Sequence, residues 1–167
     1  MIIGNGSIAK VLDDREDLVY FASGVSNSLC TDENEYAREI TLLKTVSNTQ
    51  HIVYFSNLGI YYKKDRYTQH KQFIEEYIRN TFNSYTIVRV EVLEWATTPT
   101  TILNYFKTCI KEGTVPPIQD TTRYVLGLSE FKYWLSLIQS GVRNEMNILG
   151  RRMTIEQIYQ EVKQGKL

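Results

Sequence analysis

The chain has 167 residues, 43% hydrophobic and 23% charged, the size and composition of one globular domain with its own core. Lysine plus arginine equals aspartate plus glutamate at 19 each, which argues against a generic nucleic-acid binder, and no apolar run reaches the about 20 residues that span a bilayer. The two cysteines, Cys30 and Cys109, lie far apart with no metal or C-x-x-C spacing, so a reduced, cytoplasmic compartment without a metal site is expected; no basic n-region precedes the first apolar residues, so no signal peptide is expected.

Met1-Ile2-Ile3 reads as a short strand, followed by a short helix from about Ser7 to Asp13. "LVYFASG", Leu18 to Gly24, reads as a second buried strand. "NEYAREITLLKTV" places Tyr36, Ile40, Leu43 and Val46 at helical spacing. "HIVYFSN" is the next β-rich run. "YTQHKQFIEEYIRNTF" is helical with Phe73, Tyr77 and Ile78 on one side, and "YTIVRVEVL" is a β-branched strand. "TTILNYFKTCIKEG" is a helix that Gly113 can close, and "VPPIQDTT" is a loop. "SEFKYWLSLIQSG" reads as a helix capped by Ser129 and stopped by Gly141. Thr154 and Gln157 have capping-box spacing before the last helix. Strand–helix alternation over the first 95 residues predicts an α/β fold with a doubly wound parallel sheet. Residues 1–167 form a single Rossmann-like domain on this reading, with a nucleotide-binding core over 1–95 and a small helical cap over 96–167.

Two patterns carry chemistry. "GNGSIAK" sets Gly4, Gly6 and Ala9 at the spacing of a dinucleotide-binding turn, with the amides of Gly6, Ser7 and Ile8 at the predicted helix start, where a pyrophosphate can sit. The acidic residue that holds a cofactor ribose about 20 residues further on has almost no room, because the second strand begins within that distance. Asp13 to Asp17 in this shortcut read as a solvated turn. The second pattern is Tyr67-x-x-x-Lys71 at a helix start, after a strand ending in Ser56-Asn57. A lysine four residues on lies on the same helix face, and its charge favours a phenolate and lowers the tyrosine pKa. Tyr67 is otherwise a helix-surface aromatic, and Lys71 a partner for Glu75, four residues on.

In their order these stretches resemble the extended branch of the short-chain dehydrogenase/reductase superfamily, the nucleotide-sugar epimerases and dehydratases. "VYFASG" is similar to the strand ending beside the nicotinamide ribose, and "NILGRRMTIEQIYQEV" looks like a late segment of those enzymes. "TTRYVLGLSEF" matches its counterpart loosely. The resemblance implies Tyr67 as acid/base and Lys71 as its tuner and ribose ligand. It implies Ser56 or Asn57 as the group that hydrogen-bonds the reacting oxygen. It further implies Gly4, Gly6, Ser7, Ile8, Ala22, Ser23 and Gly24 around NAD or NADP, and Arg123 near the diphosphate of a nucleotide-sugar. The implied activity is epimerase, reductase or dehydratase chemistry in surface polysaccharide biosynthesis. The implied assembly is a homodimer through helices at about 33–48 and 66–82.

Three departures stand beside the resemblance. Asn57 falls where the family has a hydroxyl, the loop from Asn57 to Tyr67 is short, and the second and third strands of the nucleotide-binding half are missing. The alternative is a catalytically degenerate protein that binds a nucleotide or nucleotide-sugar, or a partner subunit, without the dinucleotide. Arg89, Asn27 and Ser28 are weaker ligand candidates. His51 and His70 have no partner at metal spacing, and His70 is expected off the Tyr67–Lys71 face.

Overall fold

The computed structural model describes all of residues 1–167. Five strands form the main sheet: β1 (Ile2–Ile3), β2 (Val19–Phe21), β3 (Ile52–Asn57), β4 (Tyr85–Val90) and, far along the chain, β7 (Arg143–Asn147). They lie in the order β1-β2-β3-β4-β7, all parallel. Residues 52–56 and 85–90 are buried throughout, because a parallel sheet is covered on both faces and its strands read as nearly continuous apolar runs.

Side chains alternate between those faces. Ile52, Tyr54 and Ile87 pack with Leu43, Ile74 and Ile78, so α1 (Glu33–Leu43) and α2 (Arg66–Thr81) cover one side. Val53, Phe55 and Val88 pack with Phe131 and Leu135 of α4 (Leu128–Ser136) on the other. Asp32 caps α1 by accepting from the Asn34 amide, and Asp65 and Thr68 close a capping box on α2.

Four expectations are corrected. The helix expected over Ser7 to Asp13 is a single 3-10 turn, Ala9–Val11, because the chain must reach β2 within a few residues. "YTIVRVEVL" is not one strand: it bends at Glu91 and continues as β5 (Val92–Leu93) in a second sheet. That sheet has the order β5-β6-β8, with β6 (Thr122–Leu126) antiparallel to β8 (Arg151–Thr154). With α3 (Ile102–Glu112) and α5 (Ile155–Lys163) it buries a cluster including Phe106, Val125 and Ile158. The stretch after Trp95 therefore carries three strands as well as helices. α4 begins after Gly127 rather than at a Ser129 cap, and ends at Ser136. The Gly113 C-cap, at φ 69°, and the Thr154–Gln157 capping box form as expected.

Candidate functional site

A cleft of about 650 Å³ opens at the carboxyl ends of β2, β3 and β4, against the second sheet and the start of α3. This is where ligands bind in open parallel sheets. Gly6, Ser7 and Ile8 border it from the first turn, and Ala22, Ser23 and Gly24 from the end of β2. Ser56, Asn57, Tyr67, Lys71 and Arg123 border it from the other side, and Asn27 and Ser28 from the loop after β2.

Gly4 does not reach the cleft. Its φ is 133°, and a Cβ there would stand 2.3 Å from the Ala22 carbonyl oxygen, so it is a glycine for close strand packing. Gly6 differs, because a Cβ there would meet nothing within 4 Å. No hydrogen bond inside the chain takes up the amides of Gly6, Ser7 or Ile8. The turn is clamped on its far side, where the Ser7 carbonyl accepts from the Trp95 indole at 3.1 Å and its hydroxyl from the Thr97 amide at 3.0 Å. The expected help from a helix dipole is absent, since a one-turn 3-10 segment sums too few peptide dipoles.

The Tyr67–Lys71 pair forms on α2 as its spacing predicts, but Lys71 has another partner. Its ammonium donates to Glu39 Oε1 at 3.2 Å and to the Tyr54 hydroxyl at 3.0 Å, not to Glu75. Glu39 is 0% exposed and also accepts from the Val25 amide at 2.7 Å, Tyr54 at 2.8 Å and His70 Nε2 at 3.0 Å. His70 thus joins Lys71 on one carboxylate, contrary to the expectation that it lies apart. Burial alone pushes the Glu39 carboxyl up. The Lys71 charge and the His70 and Val25 hydrogen bonds outweigh that and hold it well below the usual carboxylate range. Gly24 closes over this pair: a Cβ there would stand 2.6 Å from Lys71 Nζ and 2.7 Å from Glu39 Oε1.

Tyr67 stands beside this buried pair. Lys71 Nζ lies 5.7 Å from the Tyr67 ring centroid, but Glu39 offsets its charge. Burial, and then the Glu39 charge, push the Tyr67 phenol well above its ordinary value. Tyr67 stands at the cleft wall as a buried phenol whose proton these surroundings hold more tightly than usual.

Asn57 is committed to structure, its side-chain oxygen accepting from the Gly59 amide at 2.7 Å. Ser56 is 4% exposed, and its Oγ is the one buried side-chain polar atom with no hydrogen-bond partner. Arg123 donates to the Thr122 carbonyl at 2.8 Å, and its Nε lies 3.3 Å from Glu91. Arg89 is buried in a network with Glu75 and Glu145 outside the cleft. His51 accepts from the Gly141 amide at 3.0 Å and pairs with Thr86 at 2.9 Å, again away from it. The acidic shortcut is tied by ion pairs: the Met1 ammonium with Asp14 at 2.6 Å, Arg15 with Asp17 at 2.7 Å and Lys132 with Asp13 at 3.3 Å.

Sequence reasoning passed over Glu39 and Glu91. Glu39 had a signal, since it sits three residues after Tyr36 and four before Leu43, on the buried stripe of α1. Glu91 had none in its own neighbourhood. It acts at the bend between the two sheets, accepting from the Tyr62 hydroxyl and from the Tyr124 amide at 2.8 Å.

Parallel order, a glycine turn after β1 and a cleft at the strand ends define a Rossmann-like fold shortened on the β1 side. Solved structures share it. WbmG of Bordetella bronchiseptica, solved with NAD and UDP, aligns with a TM-score of 0.70 at 16% identity over 90% of this chain and 56% of its own. A dTDP-4-dehydrorhamnose reductase of Bacillus anthracis, solved with NADP, aligns at 0.63 and 12% identity over 89% of this chain and 62% of its own. A UDP-galactose 4-epimerase aligns at 0.60 and 11% identity over 86% and 60%. The likeness is one of fold, and the chain spans little more than half the length of these proteins. No protein-family model and no curated protein matches the sequence.

The residues present fit the pyrophosphate of a nicotinamide dinucleotide. The open Gly6 and the free amides of Gly6, Ser7 and Ile8 suit its pyrophosphate. The adenosine half does not fit: β1 is the sheet edge, so no strand beyond it supports the base. Lys71 is already bound to Glu39 and Tyr54.

Proposed function

We propose that the cleft binds a nucleotide-linked sugar, and that the chain is a binding protein built on a shortened nucleotide-sugar-enzyme fold. One observation carries this reading: the Lys71 ammonium is held by the fully buried Glu39, which leaves Tyr67 a neutral phenol. Ser56, with its unpaired hydroxyl, and Tyr67 hydrogen-bond the sugar, while Arg123 stands near the diphosphate.

Calorimetric titration with UDP-glucose, NADH and NADPH tests it. UDP-glucose is expected to bind saturably, and Ser56→Ala and Tyr67→Phe each to weaken it about three- to tenfold, the worth of one hydrogen bond. Neither reduced dinucleotide is expected to saturate below millimolar concentration. A nucleotide-sugar that fails to bind overturns the reading.

A second reading is favoured by the open Gly6 and the free amides beside it: an NAD(P)-dependent epimerase, reductase or dehydratase of surface polysaccharide biosynthesis. A bound nicotinamide dinucleotide supplies hydride transfer there. This chain holds its pyrophosphate on the amides of Gly6, Ser7 and Ile8 and orients a sugar oxygen with Ser56 and Tyr67. Micromolar NADH or NADPH binding, with sugar turnover abolished in Tyr67→Phe, would establish it in place of the first.

A further inference from the structure

Four cationic side chains border the cleft: Arg38, Lys63, Lys71 and Arg123. Three are neutralised within the chain. Arg38 lies 3.1 Å from Glu35, Lys71 3.2 Å from Glu39 and Arg123 3.3 Å from Glu91. Lys63 pairs with no carboxylate, and its ammonium lies 5.8 Å from the centroid of the Tyr62 ring.

Lys63 is also held in place. Its amide donates to the Gly59 carbonyl at 2.8 Å, and its own carbonyl accepts from the hydroxyl of the buried Thr68 at 3.2 Å. Its Cδ passes 3.5 Å from where a Gly59 Cβ would stand, so its stem lies along that turn. The segment carrying it runs from Ser56 and Asn57 to Tyr67, and Ser56, whose buried hydroxyl has no partner, lines the same cleft. A buried hydroxyl without a partner costs about 1–3 kcal/mol, a cost that a ligand oxygen relieves. The free amides of Gly6, Ser7 and Ile8 lie at the end of β1, two strands from β3. Two strand spacings are about 10 Å, so the turn amides and the loop carrying Lys63 border different parts of the cleft.

We propose that Lys63 is a specificity-determining residue that selects a sugar bearing an anionic substituent, a carboxylate, at the Ser56–Tyr67 end of the cleft. This rests on the nucleotide-sugar reading above. A neutral sugar leaves the lysine solvated, whereas a carboxylate gains a charge-assisted hydrogen bond in a partly dehydrated site.

The experiment is calorimetry with UDP, UDP-glucose and UDP-glucuronate against the wild type, Lys63→Gln and Lys63→Arg, with thermal melts to confirm that each variant is folded. The wild type is expected to prefer UDP-glucuronate over UDP-glucose about tenfold, the order of one hydrogen bond to a charged group, and less so as salt rises. Lys63→Gln is expected to bring the ratio near one, and Lys63→Arg to restore most of it. Equal wild-type affinity for the two sugars overturns the proposal, as does a preference that survives in Lys63→Gln. A Lys63→Gln loss of equal size for UDP alone also overturns it, by assigning the cation to the diphosphate. If neither sugar nor UDP binds, the nucleotide-sugar reading falls and the proposal with it.

Discussion

Glu39 shows how one buried side chain sets the chemistry of its neighbours. It takes hydrogen bonds from Val25, Tyr54, His70 and Lys71 in a site closed to solvent. Two buried charges offset each other, and removing one strands the other. Glu39→Gln is therefore expected to cost about 3–5 kcal/mol in urea denaturation, and the double variant Glu39→Gln/Lys71→Met to regain part of that loss. A double variant no more stable than the single one would show that the pair is not coupled. The Tyr67–Lys71 spacing could be read along the helix, because i and i+4 share a face on any helix. The charge state of Tyr67 could not, because it depends on a carboxylate 28 residues earlier that folding brings beside Lys71.

The elements join through small polar contacts as well as the core. His51, at the start of β3, bonds Thr86 of β4 and accepts from Gly141, just ahead of β7. Accepting at Nδ1 requires that nitrogen to be unprotonated, and burial lowers the His51 pKa. A histidine whose folded pKa lies below its unfolded value, about 6.5, binds more protons when unfolded. Its stabilising contribution is full above that value and is lost as pH falls from there through the lower folded pKa. The urea midpoint is expected to fall between pH 7.5 and 5.5, and His51→Gln to flatten that part of the profile. An unchanged slope in the variant would remove His51 as the cause. The core strands β3 and β4 were legible as apolar β-branched runs. β7 and β8 were not: "RNEMN" and "RRMT" are polar, largely exposed edge strands, and what recruits β7 is backbone pairing with β4 rather than an apolar face of its own.

Across the whole molecule, the surface of α2 opposite the sheet carries Phe73, 52% exposed, beside the partly buried Tyr77. A single exposed aromatic does not define an interface by itself, but a second copy of the chain can cover it. With the resemblance described above, it leads us to expect a homodimer through α1 and α2. Light scattering at micromolar concentration is expected to give twice the chain mass, and Phe73→Glu to give a monomer. A wild-type monomer would dispose of the expectation.

Hydrophobic periodicity and capping residues are local, so the sequence alone determined the parallel α/β core and the helices α1, α2, α3 and α5, while only the family resemblance pointed to glycine turn, serine and tyrosine meeting at the strand ends. The pairing of distant groups was left to the tertiary structure. It bent the chain at Glu91 into a second sheet, reduced the first helix to one turn, bound Lys71 to Glu39, and left Ser56 and Lys63 without partners in the cleft. Each outcome depends on which charges and backbone groups meet after folding, and no spacing along the chain encodes that meeting.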